Sequence, residues 1–180
     1  MSLQEQIESL KSTWGVVMAA VAAGPLALWT SDLHPPWPSS SAMVATTACA
    51  AAIWFSFSIQ SLVDRPNVLK FFGTVSLAIG LILGVYYFSA FGRYVVSIEV
   101  PSQDGTTVQT PIVVGSEPRP GITMSNNTTR DLLLDNQLIA ERIWTEESIR
   151  SAKETLLALF VSCFFFLTIG ATIVTLSQRH

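Results

Sequence analysis

FFGTVSLAIGLILGVYYFSAFG, residues Phe71–Gly92, contains no Asp, Glu, Lys, Arg or His and lies between Lys70 and Arg93. About 20 mostly apolar residues let a helix cross ~30 Å of hydrocarbon, so this stretch reads as a membrane span. Three more stretches share the property: Ser12–Ser31, Pro35–Val63 and Thr155–Gln178. The first is the shortest, with an apolar run from Trp14 to Trp29. The composition agrees. Charged residues make up 13% of the chain, against roughly 25% in a typical soluble domain. A soluble bundle of this size would need four helices apolar on every face, with nowhere to bury them.

The expected architecture is an all-α membrane protein, a four-transmembrane-helix bundle with a small α+β extramembrane insert between helices 3 and 4. Residues 1–92 hold a lead-in and three spans, at about 14–31, 42–62 and 71–92. Residues 93–153 lie outside the lipid, and 154–180 form the last span and a short tail. Met1–Thr13 is polar and of mixed charge, with Leu3, Ile7 and Leu10 at near-helical spacing, so it reads as an amphipathic lead-in rather than a signal peptide. Cys49 and Cys163 both fall inside spans and read as small packing residues.

Small residues mark the faces on which helices can approach closely. Gly15, Ala19 and Ala23 do so in the first span, ahead of a Gly24-Pro25 kink. In the second span Ala48, Ala52 and Ser56 share a face with Gln60, the most polar side chain within any span. Gln60 reads either as a pore-facing amide or as an interface residue near the headgroups. In the third span Ser76, Gly80 and Gly84 recur every four residues, and Gly80–Gly84 is a G-x-x-x-G. That pattern serves packing within one chain as readily as an interface between copies. The fourth span carries Phe160 and Phe164–Phe166, which read as lipid-facing or wedge-like, and Thr145 before Glu146-Glu147 supplies a helix N-cap.

Outside the spans, Tyr94–Val100 and Thr106–Val114 read as a β-hairpin joined at Ser102–Gly105, with Pro111 marking an edge strand. Leu132–Trp144 reads as one short helix capped by Asn127–Thr129. With few aromatic residues, this segment is expected to have a poor core of its own and to dock on the bundle, on another copy or on a partner. Arg93–Glu154 holds nine acidic and six basic residues, so direct nucleic-acid binding is not expected. Asn126–Thr129 contains overlapping glycosylation sequons, which matter only in a eukaryotic lumen.

No chemistry is legible. There is no G-x-S-x-G, Walker loop, H-E-x-x-H or pair of His or Cys at ligand spacing, and Glu99, Asp104, Glu117, Asp131 and Asp135 are scattered without a His partner. His34 stands alone in a Pro- and Trp-rich turn between Trp29 and Trp37 and reads as solvated. No catalytic, metal or cofactor-binding residue is assigned, no cofactor is expected, and an enzyme is not expected. Nor does any span carry an ionisable residue, which argues against ion-coupled transport. The classes that remain are an oligomer surrounding a pore, and a membrane anchor or sensor working through its loop. Arg65 and Lys70 place the second turn in the cytoplasm with both termini, which puts residues 93–153 in the periplasm, although Arg93, Arg150 and Lys153 pull the other way.

Pro35-Pro36-Trp37-Pro38 between the first two spans, and Trp144-Thr145-Glu146-Glu147-Ser148-Ile149 before the last, resemble small four-span bacterial membrane proteins of conflict and anti-phage defence loci. The resemblance rests on about ten residues, with a matching segment order along the whole chain. It implies a homo-oligomer in the inner membrane that depolarises or perturbs that membrane, or detects its perturbation, alongside a soluble partner encoded nearby. It implies no functional residues. The alternative is a non-catalytic accessory or anchoring subunit of a larger membrane complex.

Overall fold

The computed structural model describes residues 35–36, 41–62, 66–101, 107–122 and 128–177. The expected first span (about 14–31), the lead-in, both histidines, Trp37, the Ser102–Gly105 turn and the sequons at Asn126 and Asn127 lie outside the described residues. The chain is mostly helical. Its elements are helix α1 (Ser41–Leu62), helix α2 (Pro66–Tyr94), strands β1 (Val95–Pro101) and β2 (Thr107–Val113), helix α3 (Thr129–Asp135), a 3-10 turn (Ala140–Arg142) and helix α4 (Glu146–Ser177). Two helices, rather than the four expected spans, are long and apolar enough among the described residues to cross a membrane. They are the Asn67–Tyr94 part of α2 and the Glu146–Val174 part of α4, whereas α1 has a shorter apolar run, Met43–Ser56.

Two compact units divide the molecule. A helical unit takes in Ser40–Val85 and the chain from Leu159, and a sheet-bearing unit takes in Tyr86–Ala158 with Pro35 and Pro36.

In the helical unit, α1 is built from alanines and hydroxyl residues. Its hydroxyls turn back on their own backbone: Thr47 Oγ1 donates to Met43 O at 2.9 Å, Ser56 Oγ to Ala52 O at 2.8 Å and Ser58 Oγ to Trp54 O at 3.1 Å. Such bonds satisfy each hydroxyl without water. Pro66 opens α2, where its missing N–H costs nothing and its fixed φ suits the first turn. At the other end of α2 the chain passes directly into β1, because the β-branched pair Val95-Val96 favours extended backbone.

In the sheet-bearing unit β1 and β2 pair antiparallel, with Val95 opposite Val113 and Ile98 opposite Thr110. The Val114 N–H donates to Tyr94 O at 2.8 Å, which fixes the alternation of the ladder. Val108, Thr110 and Ile112 direct their backbone groups at β1, while Thr107, Gln109, Pro111 and Val113 direct theirs at the outer rim. Pro111 therefore removes a donor only from the rim.

The single helix expected over Leu132–Trp144 is broken. Thr128 starts α3 with a capping box: the Asp131 N–H donates to Thr128 Oγ1 at 3.3 Å, and the Thr128 N–H to Asp131 Oδ2 at 3.2 Å. Asn136 ends the helix by donating its side-chain amide to Leu132 O at 2.9 Å. The N–H groups of Gln137 and Leu138 then fold back on Leu134 O (3.2 Å) and Leu133 O (2.7 Å), the bond pair of a Schellman motif. Both residues sit in the left-handed region, at φ 58° and 62°.

The reversal builds a core that the sequence reading denied to this segment. Ile98, Leu133, Ile143 and Trp144 are all but fully buried in one cluster, joined by Val114, Leu132 and Ile149. A strap over residues 114–119 holds it closed. The Arg119 N–H donates to Ile143 O at 2.8 Å, the Thr145 N–H to Glu117 O at 3.0 Å and Arg119 Nε to Trp144 O at 3.3 Å. Thr145 caps α4, accepting from the Ser148 N–H at 3.4 Å, with Glu146 and Glu147 in the first turn. The 32 residues of α4 then run roughly 48 Å.

Gly115 lets the strap approach α4. A Cβ there would collide with Ser148 Oγ and stand 2.9 Å from Trp144 Cβ. Gly115→Ala is expected to cost about 1–3 kcal/mol through overpacking, read as a lowered Tm in detergent; an unchanged Tm would show that the strap does not hold the core. Gln137→Gly is expected to act in the opposite direction, stabilising by about 0.5–1 kcal/mol because glycine takes the left-handed position without steric cost. A drop in Tm for that variant would contradict the reading of the turn.

Candidate functional site

The features with most bearing on function lie where α4 packs against α2 and α1 in the helical unit. On α2, glycines allow close contact. A Cβ on Gly80 would lie 2.8 Å from the Leu167 side chain and 2.9 Å from its backbone nitrogen. A Cβ on Gly73 would lie 2.9 Å from the Val174 side chain. From the other helix, a Cβ on Gly170 would stand 2.7 Å from Leu77 N and 2.9 Å from Gly73 O. At Gly84 the only neighbour is Cys163 Sγ at an ordinary 3.4 Å. Cys163 in turn lies with its Sγ 3.3 Å from Gly80 O.

The Gly80/Gly84 face of the G-x-x-x-G is thus in contact with the last helix of its own chain. Ser76 is half-buried on the same helix. An interface between copies has to use a different face of α2. Spacing alone left both uses open, since it marks a face and not the partner. Gly73 and Gly170 were not singled out from the sequence. The signal was present for Gly73, seven residues before Gly80 on the same stripe, whereas Gly170 stands alone on its helix.

The α1 face behaves differently. Ala45, Cys49, Ala52 and Ser56 are fully buried, and Ala48 is half-buried. Ala52 joins Leu69, Ile169 and Ile173 in one apolar cluster. Beside it runs a short polar line. Thr168 Oγ1 donates to Phe164 O at 2.7 Å and lies 3.3 Å from Cys49 Sγ, which is itself 3.9 Å from the Phe164 carbonyl oxygen. One turn further along α4, the hydroxyl of Thr172 is buried with no hydrogen-bond partner among the described residues. Gln60 falls in the last turns of α1, and its side chain lies outside the described residues. Phe160 is buried, as a wedge would be and a lipid-facing ring would not, and meets Phe164 edge to face at 5.1 Å.

The opposite faces are bare. Phe71, Phe72, Leu81, Ile82, Val85, Tyr86 and Phe88 on α2 are all more than half exposed, as are Met43 and Trp54 on α1.

In the sheet-bearing unit a cleft of about 500 Å³ borders Glu147, Arg150, Ser151 and Glu154, one charged face of α4's first turns. Asp131 is engaged in the α3 capping box, and Glu117 contributes its backbone carbonyl to the strap. Among the described residues no three His, Cys, Asp or Glu side chains gather as a metal site.

Comparison with family models, curated proteins and solved structures gave no match. What the chain does has to be argued from its own geometry.

The seams make unequal demands on their glycines. Gly80→Ala and Gly170→Ala are expected to cost about 1–3 kcal/mol, since backbone atoms and not only flexible side chains stand in the way. Gly84→Ala is expected to be near neutral. Denaturation in detergent micelles checks the order; equal losses at all three positions would refute it.

Proposed function

We propose that this chain is a multi-pass protein of the bacterial inner membrane that crosses it four times, self-assembles, and acts as a pore-forming or membrane-perturbing effector or sensor in defence, with a soluble partner. The observation that carries the membrane part is the bareness of α2. Only 17% of its most apolar 18-residue window is buried inside the protein, and only 28% of that of α4. The core helix of a soluble protein would be mostly covered. Bulky side chains such as Phe72, Ile82 and Val85 left open to water would form an apolar patch far beyond what soluble monomers carry, so hydrocarbon is their natural solvent.

The flanks of α2 suit a bilayer. Lys70 next to Phe71 and Phe72 marks one interface; Tyr86, Tyr87, Phe91 and Tyr94 around Arg93 mark the other. Aromatic and basic residues favour the headgroup level in this way. Pro35 and Pro36 belong to the same unit as Tyr86–Ala158, so the chain leaves that unit into α1 and returns to it along α2. This supports a topology in which the Pro-rich turn and the sheet-bearing unit share one side. The turn carrying Arg65 and the end of α4 would then share the cytoplasmic side.

Self-assembly is proposed to use the outward faces of α1 and α2, because the Gly80 face is engaged within the chain. Membrane perturbation without catalysis fits a helical unit free of ionisable side chains over 71–85 and 159–177. A second reading, an accessory or anchoring subunit, draws on the well-built core around Trp144, which gives a partner a firm surface to grip.

Purified protein reconstituted in liposomes separates the readings. A pore-forming effector releases a trapped ion or dye and runs as an oligomer in native mass spectrometry. Silent liposomes would favour the subunit reading. Recovery of the chain in the soluble fraction after alkaline extraction of membranes would overturn both.

A further inference from the structure

Several hydroxyl residues in the helical unit follow one habit, and among the described residues one hydroxyl is both buried and without a partner. Thr47, Ser56, Thr74 and Thr168 each donate to the carbonyl four residues earlier, at 2.7–2.9 Å. Thr172 sits one turn after Thr168, is 1% exposed, and does not. An unpaired buried hydroxyl destabilises a fold, and valine would fill the same volume without that penalty.

Its surroundings are equally specific. The seam between α1 and α4 holds the thiol of Cys49, the hydroxyl of Thr168 and the carbonyl of Phe164, all without a formal charge. On the α1 side the buried residues Ala45, Cys49, Ala52 and Ser56 are small, although Ile53 is not, and Ala52 meets Ile169 and Ile173, so the seam sets polar atoms beside aliphatic ones. The seam between α2 and α4 is its opposite. Gly73, Gly80 and Gly170 bring backbones together there, and Leu77, Leu167, Ile173 and Val174 seal it.

We infer that the α1–α4 seam is a hydrated path into the helical unit, with the Thr172 hydroxyl as a binding point for water, while the α2–α4 seam stays dry. Water reaching Thr172 supplies the partner that the protein withholds, and a buried water is held by such polar atoms where an apolar lining leaves space dry. Neutral hydroxyl and carbonyl oxygens line the path, so it suits water and small monovalent cations rather than anions. The inference rests on the pore reading only for what crosses; that the seam takes up water stands by itself.

The two native cysteines test it. Cys49 lies in the proposed wet seam and is fully buried, whereas Cys163 lies in the dry seam and is partly exposed. Burial alone predicts that Cys163 reacts first. The full chain in liposomes is treated with a permanently charged methanethiosulfonate, which does not enter hydrocarbon, and modified peptides are quantified by mass spectrometry. The wet seam predicts that Cys49 is labelled several-fold faster than Cys163. Thr172→Val should abolish that excess while leaving Tm unchanged or raised, and Thr172→Ser, which keeps the hydroxyl, should retain it. Faster labelling of Cys163, no labelling of either, or an excess at Cys49 that survives Thr172→Val would each overturn the inference. Ion flux in the same liposomes keeps the two ideas apart: flux without Cys49 labelling sinks the seam and spares the pore, and Cys49 labelling without flux does the reverse.

Discussion

Hydrocarbon cannot hydrogen-bond, and on the proposed membrane reading the helical unit is built to that constraint. Every backbone N–H and C=O must be closed within the chain, which leaves helices as the one form open to a segment such as 66–94. Side chains obey the same rule. Thr47, Ser58 and Thr74, exposed on α1 and α2 or close to it, hand their protons to their own helix, so they can face acyl chains without an unmet bond. Because apolar side chains gain little by leaving lipid for a neighbouring helix, association has to come from close packing. That is where the glycines matter: Gly73, Gly80 and Gly170 let backbones approach until van der Waals contact runs along the seam.

On the same proposed reading the sheet-bearing unit works under the other regime, in which water drives burial. Its core gathers around Trp144, whose carbonyl accepts from Arg119 while the ring is sequestered. The strap of 114–119 closes on it through backbone bonds to Ile143 and Thr145. Here too a glycine, Gly115, marks a place of closest approach, in this case of a loop on a helix. The same residue type meets the same need in two solvents.

Much of this could be read from the residues, and the failures have identifiable causes. Runs without charge gave α2 and α4 directly, because hydropathy over a helix length is a property of the segment alone. The hairpin was legible from its β-branched alternation and Pro111 from its chemistry. The Thr145 cap was legible as well. The break at Asn136 was not, because apolar residues at 132, 133, 139, 143 and 144 fit a single helix face, and only the Asn136 amide and the backward bonds of Gln137 and Leu138 stop it. Nor was the core around Trp144, since it depends on residues 114–119 meeting residues 143–145 across a long loop. The polar line of Cys49, Thr168 and Thr172 was invisible for the same reason. Its members lie on two helices more than a hundred residues apart in sequence, and no local pattern joins them.

The position of Pro111 has a consequence for molecules that share a membrane. Confined to two dimensions, copies of a chain collide often and in similar orientations, and an open strand edge at each head invites them to zip together. On β2 the ring nitrogen sits midway along the outward row, between Gln109 and Val113, so a visiting strand finds a gap in the row of donors it needs. Pairing within the hairpin is untouched by it. Neighbouring hairpins can therefore meet edge to edge and still part.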